Sequence, residues 1–182
     1  ASFGLLIDHP TANWTYSSPP EEGTANRRIP VPRGKLLGGS SSINGLVFVR
    51  GQQLDYDTWG QLGNRGWSYD DVLQTFKKME HYEHGSNELR SQGGPLRVSE
   101  ATDEGPLYDA IREAANELRI PHNPDYNGAS QEGIVRTQTT ISNGVRMSTA
   151  RCYLKPIERR KNLRIETGAH TCLLYTSPSP RD

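Results

Sequence analysis

Arg33-Gly34-Lys35-Leu36-Leu37-Gly38-Gly39-Ser40-Ser41-Ser42-Ile43-Asn44-Gly45 is the stretch around which the rest of the chain is organised. The pair Gly38-Gly39 lets the backbone approach a ligand closely and take dihedrals that a Cβ forbids, and three serines follow at a helix start. Such a start offers unpaired N–H groups and the positive end of the helix dipole, a setting for phosphate or for a ring that becomes negative on reduction. It is not a Walker loop, because Ser-Ser-Ser stands where Gly-Lys-Ser/Thr is needed, and it is not the Gly-x-Gly-x-x-Gly dinucleotide fingerprint. On chemistry alone the simpler reading is a glycine turn and a serine-capped helix with no ligand.

Further blocks follow in order: Val49-Arg50-Gly51, Asp55-Tyr56-Asp57-Thr58-Trp59, Gly66-Trp67-Ser68, Gly93-Gly94-Pro95-Leu96 and Asn123-Pro124-Asp125-Tyr126-Asn127-Gly128. Gln131-Glu132-Gly133, Asn143-Gly144-Val145-Arg146 and Ser148-Thr149-Ala150-Arg151-Cys152-Tyr153-Leu154 complete the series. Together with the run from Arg33 to Gly51, this order resembles the glucose-methanol-choline (GMC) family of flavoprotein oxidoreductases, and within it the bacterial choline and alcohol dehydrogenase branch. Eight further blocks in order are far more specific than one loop.

Composition narrows the classes independently. The 182 residues carry 21 basic and 21 acidic side chains, so charge gives no reason to invoke nucleic acid or an anionic membrane. No run approaches the length of a membrane span. Hydrophobic residues make up 33%, and 18 glycines and 12 prolines accompany them, as expected of a piece of a larger, loop-rich enzyme. The two cysteines, Cys152 and Cys172, provide no disulfide framework, which fits a reducing compartment and a cytoplasmic location, with peripheral membrane association as the alternative.

The ends carry their own expectations. Ala1 opens without a methionine or a signal peptide and reads as mid-gene. Residues 172–182 match one reading frame of a common sequencing adapter, so they are expected to be a non-native tail, the alternative being a genuine Pro-rich terminus.

Periodicity and punctuation give the elements. The proline-rich segment before Arg33 reads as extended loop with one short strand near Ile29 to Val31. Ser40 to about Phe48 is expected to be helical, with Ile43, Leu46 and Val47 as an apolar stripe, and Asp55 to Leu62 a short helix that buries Trp59. Ser68 and Asp71 have capping-box spacing and open a helix with Val72, Leu73, Phe76 and Met79 on one face. His81 and His84 then fall at its frayed end, and without further ligands they are expected to hold no metal. A strand covers Leu96 to Val98. Pro106 opens a helix to about Arg119 that buries Leu107, Ala110, Ile111, Ala114 and Leu118. Gly133 to Ile141 reads as a strand, Asn143-Gly144 as a turn, Met147 to Leu154 as a short helix, and Asn162 to Thr171 as a last strand.

The expected fold class is α/β, in part α+β: a fragment of a GMC-type FAD-binding fold with part of its substrate-binding domain. The resemblance assigns residues 1–53 and 145–171 to the FAD-binding domain and 54–144 mainly to the substrate side. It implies an FAD-dependent enzyme that oxidises a primary alcohol, choline-like or other, to an aldehyde by hydride transfer to flavin N5. Leu36, Ser40, Asn44, Gly45, Leu46 and Val47 match positions that contact FAD, Gly38 and Gly39 permit its close approach, and Trp14 matches a tryptophan beside the flavin. For Asn44 the alternative is a residue bonding its own backbone. Isoleucine at position 43 replaces the histidine that bonds the flavin covalently in some relatives, so FAD is expected to be noncovalent. Thr171 matches a position whose backbone meets the adenine. The 146–153 segment is similar to a block of mainly structural purpose. The pyrophosphate cradle would precede Ala1 and the catalytic histidine would follow Thr171, so no catalytic residue is named. The competing expectations are a GMC-fold hydroxynitrile lyase and a nonfunctional truncated fragment.

Overall fold

The computed structural model describes residues 3–102 and 105–170. The expected tail and Thr171 lie outside the described residues. Helices and short strands mix throughout, as the α/β class requires: α1 (Phe3–Ile7), β1 (Tyr16–Ser17), β2 (Pro30–Val31), α2 (Gln53–Gln61), α3 (Tyr69–Met79), β3 (Glu80–Tyr82), β4 (Leu96–Glu100), α4 (Pro106–Glu117), β5 (Gln138–Thr139), β6 (Ile141–Ser142) and β7 (Val145–Arg146).

Helix α3 begins where the capping box places it. Asp71 Oδ2 accepts from the Ser68 backbone N–H at 3.2 Å and from Ser68 Oγ at 2.5 Å, satisfying donors that the first turn leaves free. Leu73 is buried and Phe76 faces Tyr56 of α2, ring centroids 5.7 Å apart. Trp59, expected inside, stays 45% exposed because it packs edge-on against Trp67, 5.6 Å away, on the outer side of this helical pair.

Strand β3 continues directly from α3, so His81 lies in a strand and not at a frayed helix end; its Nδ1 accepts the Gly93 N–H at 2.9 Å. β3 pairs parallel to β4 through Glu80↔Leu96 and Tyr82↔Val98, and β4 pairs antiparallel to β5. On this sheet Tyr82, Leu96, Val98 and Cys152 form an apolar core, against which Phe48, Met147 and Tyr153 pack. The core thus draws on all three sequence segments.

Beside it sits a buried polar cluster. Glu80 is fully buried; its Oε1 accepts from Arg90 Nε at 3.0 Å, and its Oε2 from Arg90 Nη2 at 3.0 Å and Arg50 Nη2 at 2.9 Å. Arg90 Nη1 donates to Asp125 Oδ1 at 2.6 Å and Gln138 Oε1 at 3.0 Å, while its guanidinium stacks 3.7 Å from the Tyr82 ring centre. Asn127 Nδ2 donates to Gln138 Oε1 at 2.8 Å and Tyr126 Oη to the Phe48 carbonyl at 2.8 Å. The Asn123–Gly128 block is therefore a knot tying residues 48–50 to β3 and β5.

Several elements depart from expectation. Ser40 to Phe48 is not a helix: a single 3₁₀ turn spans Gly39–Ser42, and Leu46 takes φ +71°. The serines compete with the helix by bonding backward, Ser41 Oγ to the Gly38 carbonyl at 2.5 Å and Ser42 Oγ to that of Leu37 at 2.9 Å. Of the expected stripe, Ile43 is buried at 3% and Val47 is exposed. In α4 the buried residue is Ala115, whereas Leu107, Ile111 and Leu118 face outward, because the helix rests on its Ala115 and Tyr108 side, with the Arg136 guanidinium 4.5 Å from the Tyr108 ring centre. Met147 to Leu154 is helical from Ala150 to Leu154, in a π turn. Residues 162–170 form no strand, since no described strand lies beside them to take up their backbone groups. The 143–144 turn is as expected: Asn143 (φ +50°) and Gly144 (φ +72°) close a two-residue hairpin between β6 and β7.

Candidate functional site

The glycine–serine loop, residues 34–47, is held by short local bonds and by one distant segment. Gly34 N–H donates to Ser40 Oγ at 3.1 Å, and Gly39 N–H to the Leu36 carbonyl at 2.9 Å. A Cβ on Gly34 would lie 2.2 Å from the Gly39 carbonyl oxygen, so glycine there serves the loop's own packing. At Gly38 (φ +88°) a Cβ would lie 2.5 Å from Ser42 Oγ and 3.1 Å from the Ala150 Cβ, so this glycine makes room for the loop's own serine and for the π turn. Gly39 (φ +54°) and Gly45 differ: a Cβ on either would meet nothing within 4 Å, which leaves their backbone open to a ligand.

Most of the other expected contact residues are exposed. Leu36 is 42% exposed and Val47 57%, while Ser40, Asn44 and Gly45 are exposed. Trp14 joins the loop through backbone pairing: its N–H donates to the Arg33 carbonyl at 2.9 Å, and Lys35 N–H to that of Ala12 at 2.8 Å. Its ring lies parallel to Tyr16 with 6.1 Å between centroids and sits under the Lys35 ammonium at 4.6 Å. Trp14 and Leu36 share a cleft of about 640 Å³, closed on its far side by residues 166–170. Val47 lies instead in a second cleft of about 430 Å³ with Val49 and Tyr126, so the structure brings together some of the expected residues and separates others.

The distant segment was given no site role from sequence. Thr149 Oγ1 donates to the Gly38 carbonyl at 3.2 Å, and Thr149 N–H to Ser41 Oγ at 2.9 Å. Arg146 Nη1 donates to Asn44 Oδ1 at 2.8 Å and to the Ser41 carbonyl at 3.2 Å; burial lowers the pKa of this guanidinium from its ordinary value. The Asn44 Oδ1 also accepts the Leu46 N–H at 3.1 Å, the local backbone bond that was the alternative reading of this residue. The one sequence signal pointing to Arg146 and Thr149 was their place in an ordered family block, since residues more than 100 positions apart share no local pattern.

Among the described residues no group of three or more His, Cys, Asp or Glu side chains is placed to hold a metal, and no helix is long and apolar enough to cross a membrane.

Comparison with known proteins gives this loop its context. The chain is 44% identical to a protein named oxygen-dependent choline dehydrogenase from Rhizobium johnstonii, over 92% of this chain and 32% of that protein. The protein of the same name from Brucella ovis is also 44% identical, over 92% of this chain and 31% of its own length. The chain therefore spans about a third of the curated relatives it matches. Among solved structures it superposes on pyridoxine 4-oxidase from Mesorbium loti with a TM-score of 0.85 and 32% identity, covering 92% of this chain and 33% of that one. It also superposes on an FAD-dependent oxidoreductase from Chaetomium thermophilum with a TM-score of 0.76 and 29% identity, covering 83% and 28%. A family model described as GMC oxidoreductase matches residues 14–175, the span that includes the glycine–serine loop and the segment clamping it, and the chain belongs to the GMC oxidoreductase family.

Proposed function

We propose that this chain is the flavin-contact portion of an FAD-dependent oxidoreductase that acts on CH–OH groups and oxidises a primary alcohol, choline or a close analogue, to the aldehyde. The observation that carries the reading is the 44% identity, over 92% of the chain, to proteins named oxygen-dependent choline dehydrogenase. The residues present suit a flavin. Gly39 and Gly45 leave open backbone, Leu36 and Val47 offer apolar surface to a ring, and Trp14 flanks the approach. When bound, the flavin supplies the redox chemistry by accepting hydride from the alcohol carbon.

This chain's part is to bind and orient. Leu36, Ser40, Asn44, Gly45, Leu46 and Val47 form the contact strip, and Gly38 and Gly39 set its path. Ile43 is buried and carries no nucleophile, which supports noncovalent FAD. Residues 1–53 and 145–171 belong with the FAD-binding domain and 54–144 mainly with the substrate side; the enzyme works in the cytoplasm on a small-molecule alcohol. The test is to express the full-length protein that carries this chain. Expected are a yellow protein, FAD released intact by acid precipitation, and bleaching of the flavin by choline or another primary alcohol in the absence of oxygen. Protein that folds yet binds no FAD, or FAD that no primary alcohol reduces, overturns the reading.

A further inference from the structure

The flavin reading leaves Arg146 without a task, yet its guanidinium is the charged group that bonds the Asn44 side chain from across the sequence. It stands at the end of β7 and donates through Nη1 to both Asn44 Oδ1 (2.8 Å) and the Ser41 carbonyl (3.2 Å), more than 100 residues away in sequence. Asn44 Oδ1 therefore meets two donors, Arg146 and the Leu46 N–H. Turning the amide over would set its NH₂ against both, leaving donors opposed and unpaired, so the network fixes which end is oxygen. Nδ2, which has no protein partner among the described residues, is left as the outward donor.

The same hairpin grips the other end of the loop. Leu46, held at φ +71°, is unfavourable for a residue with a Cβ, and its carbonyl accepts from Thr140 N–H at 2.9 Å and Thr140 Oγ1 at 3.3 Å. Thr140 precedes β6 and its carbonyl accepts the Met147 N–H at 2.9 Å, just after β7. One hairpin thus sets the orientation of the Asn44 amide and the strained turn that follows it.

We propose that Arg146 is a positioning residue for the flavin: acting through Asn44, it holds the amide with Nδ2 facing the cofactor and so tunes how well the site accepts negative charge on the ring. The proposal rests on the flavin reading above. A charge-assisted hydrogen bond is stronger than a neutral one and is directional, so its loss frees the amide to rotate without removing any atom that touches the cofactor.

The experiment uses the full-length FAD-loaded protein with Arg146→Met, Arg146→Lys, Asn44→Ala and the Asn44→Ala/Arg146→Met double variant, reading the flavin reduction potential, the visible spectrum and kcat and KM separately. Expected for Arg146→Met are retained FAD, a more negative potential, a kcat lower by roughly tenfold, the scale of one charged hydrogen bond, and little change in KM. Arg146→Lys recovers part of the potential. The double variant is no worse than Asn44→Ala alone, because both act through one amide. If Arg146→Met does not fold, Arg146→Lys carries the same comparison with Asn44→Ala. An Arg146 variant with bound FAD and an unaltered potential, or losses that add with those of Asn44→Ala, overturns the positioning role and leaves the flavin reading standing. A wild-type protein without FAD overturns both.

Discussion

Replacing Glu80 with glutamine tests whether the buried cluster works as a balanced set of charges. The change preserves shape and leaves no cavity, so its effect is electrostatic. Glu80 is fully buried and accepts four hydrogen bonds: from Arg90 Nε (3.0 Å) and Ser91 N–H (3.1 Å) at Oε1, and from Arg50 Nη2 (2.9 Å) and Arg90 Nη2 (3.0 Å) at Oε2. Glutamine keeps one oxygen and turns the other into a donor that faces donors. It also leaves two guanidiniums, both at most 2% exposed, against Asp125 alone, which is 19% exposed at its side chain. Burial would lower the pKa of Arg90, but Glu80 and Asp125 outweigh it and hold that pKa above its ordinary value. The guanidinium therefore stays charged.

Breaking one partner out of a buried pair costs about 3–5 kcal/mol, a large share of the roughly 5–15 kcal/mol that holds a domain together. Arg90→Met should cost less, because Glu80 keeps Arg50 and Asp125 can turn to solvent. Urea unfolding followed by tryptophan fluorescence reads the difference: with a slope of about 2 kcal/mol/M, Glu80→Gln moves the midpoint down by about 2 M at unchanged slope. A loss below about 1 kcal/mol, or a larger loss in Arg90→Met, refutes the charge-balance argument.

Two further outcomes follow from particular contacts. Gly34→Ala drives a Cβ to 2.2 Å from backbone and should cost about 3 kcal/mol or more, whereas Gly39→Ala enters open space, costs about 1 kcal/mol for its left-handed backbone, and instead weakens FAD affinity in the full-length protein. Thermal unfolding and FAD titration of the pair check this, and equal stability losses would contradict it. Burial, reinforced by the hydrogen bond to and the charge of Glu100, pushes the Tyr82 phenol well above its ordinary 10.0, and burial raises the Cys152 thiol above 9.0. The unfolded chain gives up these protons first. The stability they contribute is therefore full below about pH 9 and is lost as pH rises past the ordinary values. The urea midpoint should fall from pH 8 to pH 11, and fall less in Tyr82→Phe; a parallel fall in both proteins would exclude Tyr82 as a source.

What could be read from sequence was what local chemistry encodes. The Ser68–Asp71 cap, the Asn143-Gly144 turn and Pro106 at the head of α4 each act within a few residues, and the structure contains all three. The ordered blocks carried the family, and the 14–175 match agrees with them. Periodicity went wrong where a tertiary partner decides. The Ile43, Leu46 and Val47 stripe implied a helix, but serine back-bonding and the left-handed Leu46 stop it after one turn, and the α4 stripe gave no sign of which face would be covered. Distance explains the rest. Arg50 meets Glu80 and Arg90 meets Gln138 across 30 and 48 residues, and Arg146 meets Asn44 across 102, so no window of sequence contains both partners. A glycine's purpose is equally unreadable in isolation, since Gly34 and Gly39 look alike until the neighbouring backbone fills the space beside one and leaves the other open. The sequence by itself determined the family, the loop and the local starts and turns; the folded chain alone decided which charges are buried together and which side chain orients Asn44, because those depend on contacts that exist only after the chain has closed on itself.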